Sequence, residues 1–313
     1  MHFRRHCSSI WLVAGTLAIV MVIACPVLVA TDRPPAPANT VSGAVEYVGA
    51  DTCKGCHEEI YGNWARTAHY KTLLKKQAGG QGCEACHGAG SEHVNNGGDK
   101  TKIFNFKTVE GKAVNDRCLQ CHNSDEARHN FRRSEHNKAN VSCTDCHSIH
   151  KAGGRGEMLL VKAQPQLCYG CHAGVKPDFS KPFHHRVNEG AVNCTDCHEP
   201  HGSGAAHSLR ATSARDTVCF KCHTDKAGPF AFEHAVVKTE GCSSCHTPHG
   251  STNPRLLTRS QMNLLCTECH TTTAGMAAPG VPSFHNQAQK YLACTLCHTA
   301  VHGSNTDRTL FKP

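Results

Sequence analysis

The sequence predicts a fold of irregular coil and short α-helices, with little or no β-sheet, arranged around ten copies of one site. Three observations predict it. The pentad Cys-x-x-Cys-His occurs ten times and takes up 20 of the 22 cysteines in the 313 residues. Aromatic residues make up only 6% of the chain, so an ordinary apolar core would be undersized. Gly, Pro, Asn and Ser fill much of the remainder, and no long alternating apolar pattern marks a strand.

The spacing within the pentad suits covalent attachment of haem. On one helical turn, residues i, i+3 and i+4 share a face, so two cysteines can form thioethers to one porphyrin while the histidine reaches its iron. Zinc sites also use Cys-x-x-Cys pairs, but they do not require a histidine after every second cysteine. The sequence therefore predicts a multihaem cytochrome c with ten covalently bound c-type haems, whose porphyrins would supply the missing apolar mass.

The predicted haem-binding residues follow directly from the pentads. The thioether cysteines are Cys53 and Cys56, Cys83 and Cys86, Cys118 and Cys121, Cys143 and Cys146, Cys168 and Cys171, Cys194 and Cys197, Cys219 and Cys222, Cys242 and Cys245, Cys266 and Cys269, and Cys294 and Cys297. The proximal iron ligands are His57, His87, His122, His147, His172, His198, His223, His246, His270 and His298. Only Cys7 and Cys25 remain, which leaves no pair for a disulfide framework within the haem region.

A second set of histidines lies in register with the pentads. Cytochromes complete the iron with methionine or histidine, and only Met158, Met262 and Met276 lie beyond residue 30. The order pentad, histidine, pentad, histidine recurs five times, which predicts five dihaem repeats with histidine on both sides of each iron. The distal candidates are His69, His93, His136, His150, His184 or His185, His201, His234, His249, His285 and His302. The remaining histidines, among them His129 and His207, are expected to be solvated surface residues.

A histidine three or four residues beyond its proximal neighbour cannot easily reach the opposite face of the same porphyrin. We therefore expect a residue such as His150, which follows His147, to bind the iron of an adjacent haem and so join neighbouring sites. The glycines that follow such histidines are expected to let the backbone turn close to a porphyrin ring. These glycines are Gly202, Gly250 and Gly303.

The N-terminal segment predicts an exported protein. Residues 1–30 combine Arg4 and Arg5 with an apolar run that ends in small residues, as an export signal does. The apolar run of about 20 residues leaves an uncleaved transmembrane anchor as an alternative. The sequence before Cys25 also resembles a lipidation site, which is a second alternative.

The rest of the chain divides by composition. Residues 31–46 read as a Pro/Ala-rich tether, 47–304 as the haem domain and 305–313 as a C-terminal tail. The longest spacing between repeats contains the insertion Val94–Arg117, which is rich in Gly, Asn and Lys. Short helices are expected over Asp51–Ile60 and Asp216–His223, each with its aspartate as the N-cap.

The formal charge of +8 suggests a nucleic-acid partner only if the cofactors are ignored. A ferric haem adds one net negative charge, so ten haems would bring +8 to −2. The sequence contains no basic run beyond short pairs such as Arg132-Arg133. We therefore expect no nucleic-acid partner.

Several stretches resemble one family. They include Val48–His57, Cys83–Gly88, Val141–His150 and Cys194–Ser203, and they are similar to the periplasmic decahaem cytochromes of the MtrA/DmsE/PioA type. The resemblance covers about residues 47–304. It implies an elongated haem wire inside an outer-membrane β-barrel porin. It also implies periplasmic or inner-membrane cytochromes as redox partners on one side, and an extracellular multihaem cytochrome or terminal reductase on the other.

The functional prediction is an electron conduit with no substrate site, located in the periplasm and associated with the outer membrane. One alternative is a soluble periplasmic electron shuttle, which ligand chemistry alone does not separate from a conduit. A multihaem reductase is less favoured, because catalysis at haem needs an open iron position and each pentad has a distal candidate. A membrane-anchored quinol dehydrogenase would require residues 10–30 to remain as a helix.

Overall fold

The polypeptide is a succession of single helical turns joined by loops. The computed structural model describes residues 45–74, 81–124, 128–150, 157–210, 218–270 and 292–313. The predicted export signal, most of the tether and the distal candidate His285 lie outside these residues. The expected short helices, irregular coil and near absence of sheet are confirmed for the described residues.

Eleven short α-helices occur in the described residues. They are α1 Ala50–Lys54, α2 Glu58–Trp64, α3 Glu84–His87, α4 Ser91–Asn95, α5 Gly111–His122, α6 Glu135–Lys138, α7 Cys143–Cys146, α8 Gln166–Tyr169, α9 Cys194–Cys197, α10 Ala235–Thr239 and α11 Met262–Thr267. The strands β1 Phe232–Glu233 and β2 Gly303–Ser304 pair antiparallel. Further single turns of 3₁₀ helix include Ala68–Leu74, Phe131–Arg133, Cys219–Lys221, Cys242–Ser244 and Cys294–Leu296. No helix of the described part of the chain is long and apolar enough to cross a membrane.

Each pentad closes one helical turn. In nine pentads the histidine N–H donates to the carbonyl of the first cysteine at 2.8–3.0 Å, as His57 does to Cys53 and His172 to Cys168. In the remaining pentad, His122 is the last residue of helix α5 and lies four residues after Cys118. This turn places both cysteines and the histidine on one face, which is what attachment of a single porphyrin requires.

The two pentads of a repeat differ in how the chain leaves the histidine. After His57, His172 and His223, the first histidines of their repeats, a further short helix begins at once. The second histidines His147, His198 and His246 instead form isolated β-bridges to a leucine 11 to 13 residues later, namely Leu160, Leu209 and Leu257. The second pentad of these repeats is thus tied to a loop that returns to it.

The expected continuous helix over Asp51–Ile60 is wrong. The chain forms α1 and α2, with a break at His57, whose φ of −116° and ψ of 42° are not helical. The N-cap of α1 is Gly49 at φ 82°, so Asp51 lies in the first turn rather than at the cap. The histidine ends its own turn because the chain changes direction there. In the second expected helix, residues 211–217 lie outside the described residues, and Cys219–Lys221 is a 3₁₀ turn.

Polar side chains hold the turns together where apolar packing is sparse. Glu84 lies inside a pentad, is 2% exposed, and accepts hydrogen bonds from the backbone N–H of Val48, Gly49 and Gly90, each at 2.9 Å. The buried amide of Asn115 in α5 accepts from the N–H of Cys143 at 2.8 Å. These buried bonds fix one pentad against its neighbour.

Candidate haem sites

Nine pairs of histidine rings face each other across a nearly constant gap. Sites are numbered one to ten here by the order of their pentads. The facing pairs at sites one to nine are His57–His93, His87–His150, His122–His69, His147–His201, His172–His136, His198–His249, His223–His185, His246–His302 and His270–His234. Every pair joins a pentad histidine to a predicted distal histidine, with ring centres 5.9–6.3 Å apart. The remaining distal candidate, His285, lies outside the described residues.

This gap fits one iron between two imidazoles. A metal–imidazole bond is about 2 Å long and the bonded nitrogen lies about 1 Å from the ring centre, so two rings on one iron have centres about 6 Å apart. Aromatic rings in contact have centres anywhere from about 4.5 to 7 Å apart, whereas these nine distances all lie between 5.9 and 6.3 Å. This narrow range at the expected value is the spacing of iron ligands. The residues present fit c-type haem.

The distal histidines follow one rule along the chain. We call the histidine between two pentads of a repeat the forward histidine, and the one after the second pentad the backward histidine. The forward histidines His69, His136, His185 and His234 face the first pentad histidine of the next repeat. The backward histidines His150, His201, His249 and His302 face the second pentad histidine of the preceding repeat. The first repeat has no predecessor, and its His93 turns back to His57.

His150 illustrates the rule and bears on the expected joining of neighbouring sites. Its ring faces His87 at 5.9 Å. His147, three residues away, faces His201 instead at 6.2 Å. This is the arrangement that ligation of an adjacent haem requires, and ligation itself stays a prediction.

The ambiguity between His184 and His185 is resolved by their hydrogen bonds. The Nδ1 atom of His184 lies 2.5 Å from the carbonyl of Lys181, and its Nε2 atom lies 2.9 Å from Glu189. Both ring nitrogens of His184 are therefore engaged. His185 uses only Nδ1, at 2.6 Å from the carbonyl of Pro248, while its ring faces His223. Of the two, His185 is the one whose ring faces a pentad histidine, and its role as an axial ligand stays a prediction.

The second pentad histidine of every repeat is oriented by a backbone carbonyl. Its Nδ1–H donates at 2.7–2.9 Å, which leaves Nε2 for the metal and increases electron donation from the ring. The acceptors for His87, His147, His198, His246 and His298 are the carbonyls of Phe104, Met158, His207, Arg255 and Thr309. Sequence reasoning missed these acceptors, including the role of the His207 backbone.

Three of these carbonyls are oriented by turns in the left-handed backbone conformation. Met158, His207 and Arg255 have φ values of 71°, 55° and 59°, and the residue after each is also left-handed. This conformation costs free energy for non-glycine residues, so it persists only where surrounding bonds impose it. The sequence signal is the leucine that follows each turn, Leu160, Leu209 or Leu257, which bridges back to the pentad histidine.

Three of the forward histidines are oriented by the following repeat. His136, His185 and His234 place Nδ1 2.9, 2.6 and 2.9 Å from the carbonyls of Pro200, Pro248 and Val301. Each of these carbonyls belongs to the residue just before a backward histidine. A forward histidine and a backward histidine of adjacent repeats are therefore held together as one unit.

The glycines after the backward histidines pack against polypeptide of the preceding repeat. A Cβ on Gly250 would lie 2.0 Å from the carbonyl oxygen of Asp178, and one on Gly303 would lie 2.2 Å from the Phe230 ring. A Cβ on Gly202, at φ 97°, would lie 2.9 Å from Ser134 Cβ. This loop therefore docks each repeat onto the one before it, and the expected approach of these glycines to a porphyrin ring stays a prediction.

Burial keeps the distal imidazoles in the form that binds metal. Desolvation lowers the pKa of five distal histidines, so they are neutral at pH 7. These are His69, His150, His201, His249 and His302. The Nδ1 atom of His69 is also buried without a hydrogen-bond partner.

Consecutive pentads lie next to each other. The first cysteines of the two pentads in a repeat are close together, in the pairs Cys53–Cys83, Cys118–Cys143, Cys168–Cys194 and Cys266–Cys294. Second cysteines of adjacent repeats lie within electrostatic range, in the pairs Cys86–Cys121, Cys146–Cys171, Cys197–Cys222 and Cys245–Cys269. His302 of site eight interacts with Asp225 and Lys226, just beyond the seventh pentad. Consecutive pentads are therefore neighbours in space.

Helical Cys-x-x-Cys-His turns with opposing histidines define a class, the multihaem c-type cytochromes, and this chain belongs to that family. Three family descriptions match it. The doubled CXXCH motif matches residues 136–177, 184–228 and 234–275, the NrfB-like cytochrome c-type protein matches 83–155, and cytochrome c554 and c-prime matches 52–81.

A particular relative is the multiheme cytochrome MtrA of Shewanella baltica (strain OS185). It is 35% identical over 227 residues, which cover 71% of this chain. The match spans 66% of that relative's own length. The expected resemblance to an MtrA-type multihaem cytochrome is thereby confirmed.

Proposed function

We propose that this chain carries electrons along a single row of ten c-type haems, each held by two cysteines and two histidines. The observation that carries the proposal is the set of nine facing histidine pairs at the spacing of one iron. Each haem, when bound, supplies one Fe(III)/Fe(II) couple. For site ten we assign His285 as the partner of His298, since it is the remaining forward histidine of the five repeats.

The residues contribute orientation and exclusion of water. The carbonyls of Phe104, Met158 and the equivalent loops hold one face of a site, while the forward and backward histidines hold the other. Ligands from adjacent repeats keep neighbouring sites in fixed contact. With both axial positions taken by side chains, a site offers no place for a substrate, which favours a carrier over a reductase.

We further propose an exported protein that works in the periplasm at the outer membrane, within a β-barrel porin. Its redox partners would be periplasmic or inner-membrane cytochromes on one side, and an extracellular multihaem cytochrome or terminal reductase on the other. The support is the resemblance to the MtrA type. A soluble periplasmic shuttle is the second candidate, since the same ligand geometry serves either.

The test is to purify the native protein through a C-terminal tag from isolated outer membranes and from periplasm. Intact mass would count covalently bound haems, and absorption spectra would report spin state. Ten haems, wholly low-spin, with a stoichiometric β-barrel partner are expected. Low-spin protein found only free in the periplasm would favour the shuttle. A high-spin fraction of about one haem in ten or more would contradict full histidine ligation and favour a reductase.

A further inference from the structure

One backward histidine differs from its counterparts in what it contacts. At site four, the Nδ1 atom of His201 lies 3.0 Å from the carboxylate oxygen Oε1 of Glu199. The backbone N–H of His201 donates to the same oxygen at 3.3 Å. The forward histidines His136, His185 and His234 meet neutral carbonyls at the same ring position.

The carboxylate of Glu199 is held in place. Its second oxygen, Oε2, lies 2.9 Å from Nη2 of Arg210, and Arg210 Nε donates to the carbonyl of His198 at 3.1 Å. The Glu199 side chain is only 12% exposed. A buried carboxylate with both oxygens engaged cannot turn away from the His201 ring.

The other repeats offer an internal comparison. The backbone N–H groups of Ser148, Glu199 and Thr247 donate to equivalent carbonyls, those of Leu159, Ser208 and Leu256. The N–H groups of Val161, Arg210 and Thr258 likewise donate to Cys146, Cys197 and Cys245. The equivalent pairs are therefore Ser148 with Val161, Glu199 with Arg210, and Thr247 with Thr258. A charged pair occupies these two positions in one repeat, and neutral residues occupy them in the other two.

The chemistry of the contact determines whether it raises or lowers the reduction potential. An imidazole that donates Nδ1–H to a carboxylate gives more electron density to its metal than one that donates to a neutral carbonyl. Greater donation stabilises the ferric state and lowers the reduction potential. Arg210 opposes this effect, but its charge lies on the far oxygen, whereas Oε1 contacts the ring. The effect of the carboxylate therefore prevails.

We propose that Glu199, oriented by Arg210, is a positioning residue that lowers the reduction potential of site four through the ring of His201. This inference rests on the proposed pairing of His147 and His201 on one iron. It introduces a fixed step in free energy into the row of haems, at a place determined by one side chain.

The first test is Glu199→Gln in the full-length haem-loaded protein, compared with wild type by an optical redox titration. One one-electron component should move to higher potential by about 59 mV, which corresponds to a tenfold change in its equilibrium constant. The matched control is Glu110→Gln, which removes an equal charge at an exposed position outside the pentads. Electron paramagnetic resonance should show one altered low-spin signal in Glu199→Gln and none in the control.

A second variant tests the direction of the shift in reduction potential. Arg210→Gln leaves the carboxylate on His201 without its compensating cation, so one component should move to lower potential. If Glu199→Gln and Glu110→Gln shift the titration equally, the effect is one of charge alone and the inference is overturned. If His201→Met leaves every iron unchanged, the proposed ligation at site four fails instead, so the two failures are distinguishable.

Discussion

Replacing Gly250 with alanine should damage one site through a contact with another repeat. Gly250 follows the backward histidine His249, whose ring faces His198 at site six. An alanine Cβ there would lie 2.0 Å from the carbonyl oxygen of Asp178 and 2.9 Å from its carbon. Both atoms belong to the backbone of Asp178, so no side-chain rotation can relieve the contact.

The size of the effect follows from the geometry. Restoring a tolerable contact requires movement of about 1 Å, and overpacking of this kind costs about 1–3 kcal/mol. The loop resists movement, because Ser251 and Phe183 exchange backbone hydrogen bonds at 2.7 and 3.1 Å. A metal–imidazole bond is only about 2 Å long, so a displacement of about 1 Å at the next residue is enough to break it.

The assay is the spin state of the purified haem protein together with its thermal unfolding midpoint. We expect about one haem in ten to become high-spin and the midpoint to fall. Gly204→Ala is the matched control, since a Cβ at Gly204 meets nothing within 4 Å. Gly250→Ala protein with the spectrum and midpoint of Gly204→Ala would refute the docking of repeat four onto repeat three.

Three further outcomes are expected. In His150→Met, a high-resolution structure should show the new ligand on the haem of Cys83–His87, and a change confined to the haem of Cys143–His147 would contradict the pairing. Glu84→Ala should lower the free energy of unfolding by about 3 kcal/mol and remove hydrogen-exchange protection at the Val48 N–H. Glu58→Ala, at an exposed position, should leave both quantities unchanged. Paramagnetic resonance should resolve two low-spin classes, since five ring pairs lie within 10–17° of parallel and three are crossed at 57–67°; a single class would contradict these ring orientations.

The sequence was sufficient to identify the histidines whose rings face each other in the structure. The pentads are local, so a single helical turn determines the geometry of Cys143, Cys146 and His147. The distal candidates could be identified because they recur in register with the pentads. The pairing could not be predicted, because the His147–His201 contact joins residues 54 positions apart and depends on how repeats dock.

Two other features of the sites could not be predicted from sequence patterns, for different reasons. The carbonyls of Met158, His207 and Arg255 act through the backbone, so their side chains carry no common chemistry. The docking role of Gly250 depends on the carbonyl of Asp178, which a sequence cannot place. The helix over Asp51–Ile60 failed because propensity gave no sign that the chain turns at His57.

The exchange of histidines between repeats also bears on how such a chain can change length. In the proposed pairing, an interior repeat gives one ligand to the repeat before it and one to the repeat after it, and receives one from each. Adding or deleting a whole repeat therefore leaves every remaining iron with two histidines, while adding half a repeat does not. Only the termini need a special solution, as His93 provides by turning back to His57. The distance over which the protein moves charge is thus adjustable in steps of two haems, without redesign of any single site.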